Sequence, residues 1–372
     1  MYQYRQIFFI MKQRDYSLDA IKGIACILMI FAHAKISQAS LVDLHLLKTI
    51  GGFAPVLFFA VSGVTATFQA SRKKILEIIL FYTLFAVIGL SYNTIWEPQN
   101  NILNKIDCEI FQIIAIGAII ISLIELYIKP QKKYYLFLAI TAFCIHYFYT
   151  QMINVRPSRF AHFLFCGDFT GTAFPIFPWV SIFFFGIFAY NIKNKFNLII
   201  GIVSSICMVL LLLLLPSHES LADEKWNMSI GYFLRSSSFL FLSFYVFRKY
   251  NNYFYKNNVL IYLGQNSLLF LYVHLIFLKI IFPMIGFDNA YPVWVISLLL
   301  SLSFMKVSQY ANTYIEQYFN NFYIWAIIIA LICAIPLIFH VDTTIQIMQV
   351  SIGVLVANNY QNIPKLLKQL LR

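Results

Sequence analysis

Apolar stretches about one membrane span long, separated by short polar breaks, run the whole length of this 372-residue chain. They fall near 18–38, 50–70, 75–95, 108–128, 134–150, 175–192, 198–215, 231–247, 259–283, 292–310 and 323–340. Each is about the length a helix needs to cross roughly 30 Å of hydrocarbon. A bilayer leaves backbone groups no outside partner, so helices are the expected form. A weaker window near 344–358 is either a further span or a re-entrant or interfacial helix. The expected fold is an all-α, polytopic integral membrane bundle of about 10–12 transmembrane helices. No repeat or soluble domain interrupts it. Residues 1–372 are therefore expected to form one unit, with an N-terminal segment over 1–15 and a basic tail over 359–372, both expected to be cytoplasmic.

Composition supports the class. The chain is 60% hydrophobic and 11% charged, against about 25% charged in soluble domains. The early apolar run Ile7–Met11 is too short for a secretory h-region, so the first span is expected to act as its own anchor.

The net charge of +12 raises the question of nucleic acid, but the basic residues form no groove-binding patch. They alternate between loops. One set of helix ends carries Arg5, Lys12, Arg14, Arg72, Lys73, Lys74, Lys129, Lys132, Lys133, Lys193, Lys195, Arg248, Lys249, Lys256, Lys306, Lys365, Lys368 and Arg372. The other receives only Lys35, Lys48, Lys105, Arg156, Arg159 and Lys225, with most of the acids. That asymmetry follows the positive-inside rule and predicts a cytoplasmic N-terminus and a cytoplasmic basic tail. The lipid bilayer is thus the expected partner, and nucleic acid is not.

Within the first span, Lys22 and His33 stand eleven residues apart, roughly 16 Å along a helix axis and on nearly the same face. Ionisable groups inside a span mark function when they face a bundle interior or a watery cavity. Otherwise Lys22 snorkels to the surface and His33 sits in the far headgroup layer. Histidine is suited to proton transfer near neutral pH, so His33 is the candidate base toward a hydroxyl or amine. Lys22 is a candidate anion ligand. Arg72, Lys73 and Lys74 report topology, and Arg72 and Lys73 are also candidates for touching a phosphorylated donor.

Four further features are candidates for the cavity or acceptor side. The second span carries small residues including Ser62, which suit close packing as well as a site. The outer loop 151–174 is long for a membrane protein and contains His162 and Asp168. Phe174-Pro-Ile-Phe-Pro-Trp179 makes a bent helix entry, with Trp179 either an interfacial anchor or part of a cavity wall. Asn266, Ser267 and His274 form a polar stripe in a late span, where a lone histidine is often only structural. Arg235 and Lys279, near the outer ends of their spans, read as snorkelling residues. No GxSxG elbow, P-loop, dinucleotide fingerprint or HExxH motif occurs. The six cysteines lack metal-ligand spacing, so no metal site is expected.

Ser17-Leu-Asp-Ala-Ile-Lys22-Gly23 with His33 resembles the opening of the transmembrane acyltransferase 3 superfamily, including the branch related to heparan-alpha-glucosaminide N-acetyltransferase. Phe58-Phe-Ala-Val-Ser-Gly63 is similar to its second-helix motif. Phe174–Trp179 with Gly186, and Ser267–Tyr272 with His274, are similar to later ones. The departure is Lys22, where the family pattern carries arginine: the charge stays, but the planar bidentate fork is lost.

The resemblance implies transfer of an acyl group, most often acetyl, from cytoplasmic acyl-CoA to a hydroxyl or amine of an extracytoplasmic glycan or lipid-linked sugar. It implies acetyl-CoA as co-substrate with no permanently bound cofactor, a plasma (inner) membrane location, His33 as catalytic base or transient acyl carrier, and Lys22 at the donor. The competing expectations are a non-catalytic transporter or flippase for a lipid-linked saccharide, with His33, His274 and Arg235 along its path, and a family member that has lost catalysis.

Overall fold

The computed structural model describes residues 14–33, 49–96, 108–152, 159–165, 173–214, 225–253, 258–286, 290–339 and 341–371. Helices begin where the apolar windows begin: α1 Tyr16–His33, α2 Ala54–Ala70, α3 Ile75–Trp96, α4 Ile110–Leu123, α5 Tyr134–Met152 and a short α6 Arg159–Phe165. The chain continues through α7 Ile176–Asn191, α8 Asn194–Leu214, α9 Ile230–Lys249, α10 Val259–Gln265, α11 Ser267–Leu275, α12 Ala290–Asn312, α13 Phe322–Ile338, α14 Thr343–Asn359 and α15 Ile363–Leu370. No strand occurs among the described residues. Among the described residues, eight helical runs are long and apolar enough to cross a membrane, α11 counting together with the residues that follow it to Met284, and three shorter apolar helices accompany them. The protein is a multi-pass membrane helical bundle.

The helix starts are chemically explicit. Ser229 accepts from the Tyr232 N–H, Asn258 from Leu260 and Asp342 from Ile345, satisfying donors that a helix start leaves unpaired. The weak window near 344–358 is a full helix, α14, which packs on α3 and α11. The long loop 151–174 contains α6, and the tail folds as α15, burying Ile363 and Leu367.

α1 is the hub of the bundle. It packs against α2, α9, α10, α11 and α12 and buries Ala20, Ile21, Ala25 and Cys26 completely. At two crossings, glycine permits backbone-on-backbone approach. A Cβ on Gly63 would strike the Phe183 carbonyl and one on Gly186 the Ala60 carbonyl, so α2 and α7 interlock reciprocally. α1 and α10 do the same through Gly23 against Leu260 and Gly264 against Asp19. Close contact of this kind is how membrane helices pack where the bilayer gives no hydrophobic drive. α8, by contrast, turns Ile199, Ile202, Ile206 and Leu213 outward, the surface lipid tails cover.

The window 259–283 is not one helix. It breaks at Asn266 (φ −111°, ψ 26°) between α10 and α11, and α11 then runs into a π-helical turn, Ile276–Ile281. Asn266 settles the break by donating to the Tyr262 carbonyl at 2.8 Å and accepting from Gln309 at 2.7 Å.

Candidate active site

The C-terminal end of α1 opens into a cavity of about 270 Å³. Its floor is set by His33, Met29 and Ala32, with Ala54, Pro55 and Phe58 of α2 beside them. The far wall brings together Glu109 at the start of α4, Phe174 before α7, Lys225 and Trp226 before α9, and Lys279 from the π turn after α11. Most of these stand at helix ends that an up-and-down chain gathers on one side of the bundle.

His33 and His274, 241 positions apart in sequence, meet here. His33 Nδ1 lies 2.9 Å from His274 Nε2, and the rings stack at 18° with centroids 5.2 Å apart. His274 is fully buried, and its Nδ1 lies 2.8 Å from the Phe270 carbonyl. A carbonyl only accepts, so His274 carries its proton on Nδ1. Its Nε2 is then an acceptor when the ring is neutral. The proton between the rings must come from His33 Nδ1. By this chain one backbone carbonyl fixes both tautomers and leaves His33 Nε2 with the lone pair, the state a general base needs. It also gives His33 an acceptor with which to share the positive charge it gains on taking a proton.

The cationic wall is equally built. The turn carrying Lys225 and Trp226 is pinned from two sides. His146 places Nε2 2.8 Å from the Asn227 carbonyl and Nδ1 2.6 Å from the Phe165 carbonyl. Trp179 donates to the Trp226 carbonyl at 3.5 Å. Met228 next to it adopts φ 42°, a left-handed conformation that side chains rarely adopt unless the surroundings impose it. The Lys225 ammonium lies 4.2 Å from the Trp226 ring centroid and 5.8 Å from that of Phe174. Burial pushes it down to about 8, against the opposing pull of Glu109. Glu109 itself accepts from the Ile110 N–H at 3.4 Å and caps α4.

The other end of α1 holds a separate polar cluster. Arg14 makes a two-point pair with Asp19 at 2.6 and 3.2 Å. Lys22 lies 3.5 Å from the second Asp19 oxygen, and Gln265 donates to Asp19 at 3.4 Å. Asp19, only 4% exposed, thus holds Lys22 in place. The hydrogen bond from Arg14 to Asp19 also raises the guanidinium above its ordinary value. Arg72 and Lys73 occupy the turn after α2. The start of α2 is at the His33 cavity, so its end lies on the Lys22 side. Lys73 stacks 5.3 Å from the Phe81 ring, while Arg72 is exposed.

Of the residues expected on the acceptor side, His274 joins His33, while Ser62, Trp179 and Asn266 do not line its cavity. Asn266 lies in a different, polar cavity with Gln265, Gln309 and Asn312, because the break at residue 266 separates it from His274. Trp179 is neither an interfacial anchor nor a cavity wall. It is fully buried one layer behind, edge-on to Phe59 and Phe174. Ser62 is half-buried in α2 and does not line the His33 cavity. His162 lies in α6, which packs on α7, and its side chain is outside the described residues; Asp168 is outside them altogether. Sequence reading misses Glu109, Lys225, Trp226 and His146 as site residues, and takes Lys279 for a snorkelling lysine. Among the described residues, no three of His, Cys, Asp and Glu cluster to hold a metal ion.

The acyltransferase 3 family profile, an acyltransferase domain, matches residues 15–341. The chain belongs to this family. The match begins one residue before α1 and ends just before α14, so it takes in both histidines and every wall of the cavity. No curated protein matches the chain. As a member of the acyltransferase 3 family, the protein is a membrane acyltransferase.

Proposed function

We propose that this acyltransferase moves an acetyl group from cytoplasmic acetyl-CoA to a hydroxyl or amine of an extracytoplasmic glycan or lipid-linked sugar. The observation that carries the reading is the His33–His274 pair at the cavity floor, with the tautomer chain that leaves His33 Nε2 as acceptor. In the forward reaction His33 takes the proton from the attacking hydroxyl or amine. The oxygen or nitrogen forms its bond to the acyl carbon, and the CoA thiolate leaves toward the Lys22 end. His274 shares the charge that His33 acquires. Such base catalysis contributes about 10²–10⁴-fold. Lys22, held by Asp19, with Arg72 and Lys73 on the same side, forms the donor's basic surface. The loop-charge asymmetry supports a cytoplasmic position for that end, and so an outward position for the cavity.

The test is envelope-glycan acetylation in cells carrying wild type, His33→Ala and Lys22→Arg at matched membrane levels. The expected result is loss of acetyl groups in His33→Ala and a gain in Lys22→Arg, where the bidentate fork is restored. An unchanged glycan in His33→Ala would defeat the reading.

A further inference from the structure

The C-terminal helices have no part in the proposed chemistry, yet their placement is well defined. α14 begins beside the end of α3, where Gln346 donates to the Ile95 carbonyl at 3.2 Å. It ends where Asn359 and Asn312 exchange hydrogen bonds at 2.6 and 3.1 Å. Tyr360 and Gln361 then share a polar cavity with Gln265, whose side chain reaches Asp19. The end of α12, the start of α13 and α15 therefore stand at the Lys22 end of the bundle.

There α13 and α15 both pack on α3, and between them lies a slot of about 430 Å³. α13 lines it with Phe322, Trp325, Ala326, Ile329, Ala330 and Cys333, the spacing of a single helix face. Leu84 and Ile88 of α3 close the inner side, and Leu367 and Leu370 of α15 stand opposite. The stripe runs roughly 16 Å along its axis, close to the half of a 30 Å hydrocarbon layer that one leaflet occupies. The Trp325 indole N–H donates to the Phe319 carbonyl at 2.9 Å, so the slot asks nothing polar of it. Ala326 and Ala330, both exposed, leave open the width that larger side chains would fill. An apolar recess of this kind holds no ordered water; in a bilayer, what fits it is a hydrocarbon chain.

The mouth has the opposite chemistry. Phe322, Leu366 and Leu370 also line an adjoining recess with Asn320, Asn321 and Gln369, so the slot runs directly into amides. Lys365 and Lys368 are exposed on one face of α15, while Ile363 and Leu367 are buried on the other. A helix divided in this way lies at the membrane interface with its basic face toward the headgroups. Apolar slot, amide mouth and lysines thus follow one another in the order of chain, linkage and phosphate in a phospholipid. α15 and its lysines lie beyond residue 341, where the family match ends.

We infer that this slot holds an anionic phospholipid from the leaflet on the Lys22 side. One acyl chain lies along the α13 stripe against α3 and α15. The headgroup sits at Asn320, Asn321 and Gln369, with Lys365 and Lys368 supplying the countercharge. The lipid completes the packing of α13 and α15 on α3, and its binding does not depend on the proposed acyl transfer.

The experiment is native mass spectrometry of the purified full chain in detergent, with thermal melts on the same samples. The probes are dioleoyl phosphatidylglycerol, dioleoyl phosphatidylcholine with the same tails, and dihexanoyl phosphatidylglycerol with the same headgroup. The long-chain anionic lipid should bind as a single adduct and raise Tm, with both other lipids about tenfold weaker or more. A lysine near the headgroup contributes about fivefold. Lys365→Gln combined with Lys368→Gln should therefore cost about 25-fold for phosphatidylglycerol and leave phosphatidylcholine unchanged. Ala330→Trp, which fills the slot, should abolish the adduct and keep the Tm measured without lipid at or above that of wild type.

Equal affinity for the two headgroups, equal affinity for long and short tails, or wild-type binding by the double glutamine variant or by Ala330→Trp would each overturn the inference. So would displacement of the lipid by palmitoyl-CoA, which would assign the slot to the donor. A dimer that Ala330→Trp dissolves would assign it to a second copy of the chain. If Ala330→Trp does not fold, the lysine variants and the comparison of tails decide the matter.

Discussion

The tautomer chain makes a sharp claim about His274, because its two ring nitrogens do different work. Nδ1 donates to the Phe270 carbonyl and Nε2 accepts from His33. Glutamine places its amide oxygen near the Nε2 position, whereas asparagine reaches only as far as Nδ1. His274→Gln should therefore keep the acceptor that His33 needs, and His274→Asn and His274→Leu should lose it. A hydrogen bond to a group that becomes charged in the transition state is worth about 1.5–3 kcal/mol. At 1.36 kcal/mol per tenfold, that is about ten- to a hundredfold in rate. The stability cost is small by comparison, since the Phe270 carbonyl lies within a helix and leucine refills most of the buried volume.

The assay is acetyl transfer by membrane vesicles from labelled acetyl-CoA, with kcat and KM for the acceptor measured separately. Asn and Leu should lower kcat with little change in KM, and Gln should recover most of it. If Gln, Asn and Leu lose activity equally, or if the loss falls on KM alone, His274 does not work through His33 and the relay is wrong.

Gly186→Ala should force α7 off α2 at the Ala60 carbonyl and lower stability by about 1–3 kcal/mol. A thermal melt in detergent reads this, and a Tm equal to wild type would show that the helices give way freely. His146→Ala should loosen the Lys225 turn, raising KM for the acceptor while leaving kcat nearly intact.

Much of the bundle is legible in hydropathy and loop charge, because crossing a bilayer imposes length and apolarity on each helix. The pairing of His33 with α1 as the hub is legible too, since an ionisable side chain inside a span demands a reason. Their meeting with His274 is only half legible. Sequence marks both residues, but the contact depends on how α11 crosses α1. Lys225 is hidden because a lysine in a turn between spans looks the same whether it faces water or a cavity. Lys279 is hidden by the π turn, which changes the face a side chain presents within what reads as a regular span. Asn266 and His274 share an apparent stripe that the helix break divides. Asp19 stands in the opening motif with Arg14 and Lys22 as local partners, while the contact from Gln265 emerges only when α1 and α10 come together.

The reciprocal glycine contacts between α2 and α7 bear on how any cargo crosses the bundle. Carriers that expose a site first to one compartment and then to the other need surfaces that slide, usually with side chains as the yielding layer. Here carbonyls rest directly where side chains would be, between α2, which lines the His33 cavity, and α7 behind it. Such a joint behaves as a fixed septum rather than a hinge. Under the proposed reaction, the two substrates approach a stationary partition from opposite compartments, and only the two-carbon unit changes sides.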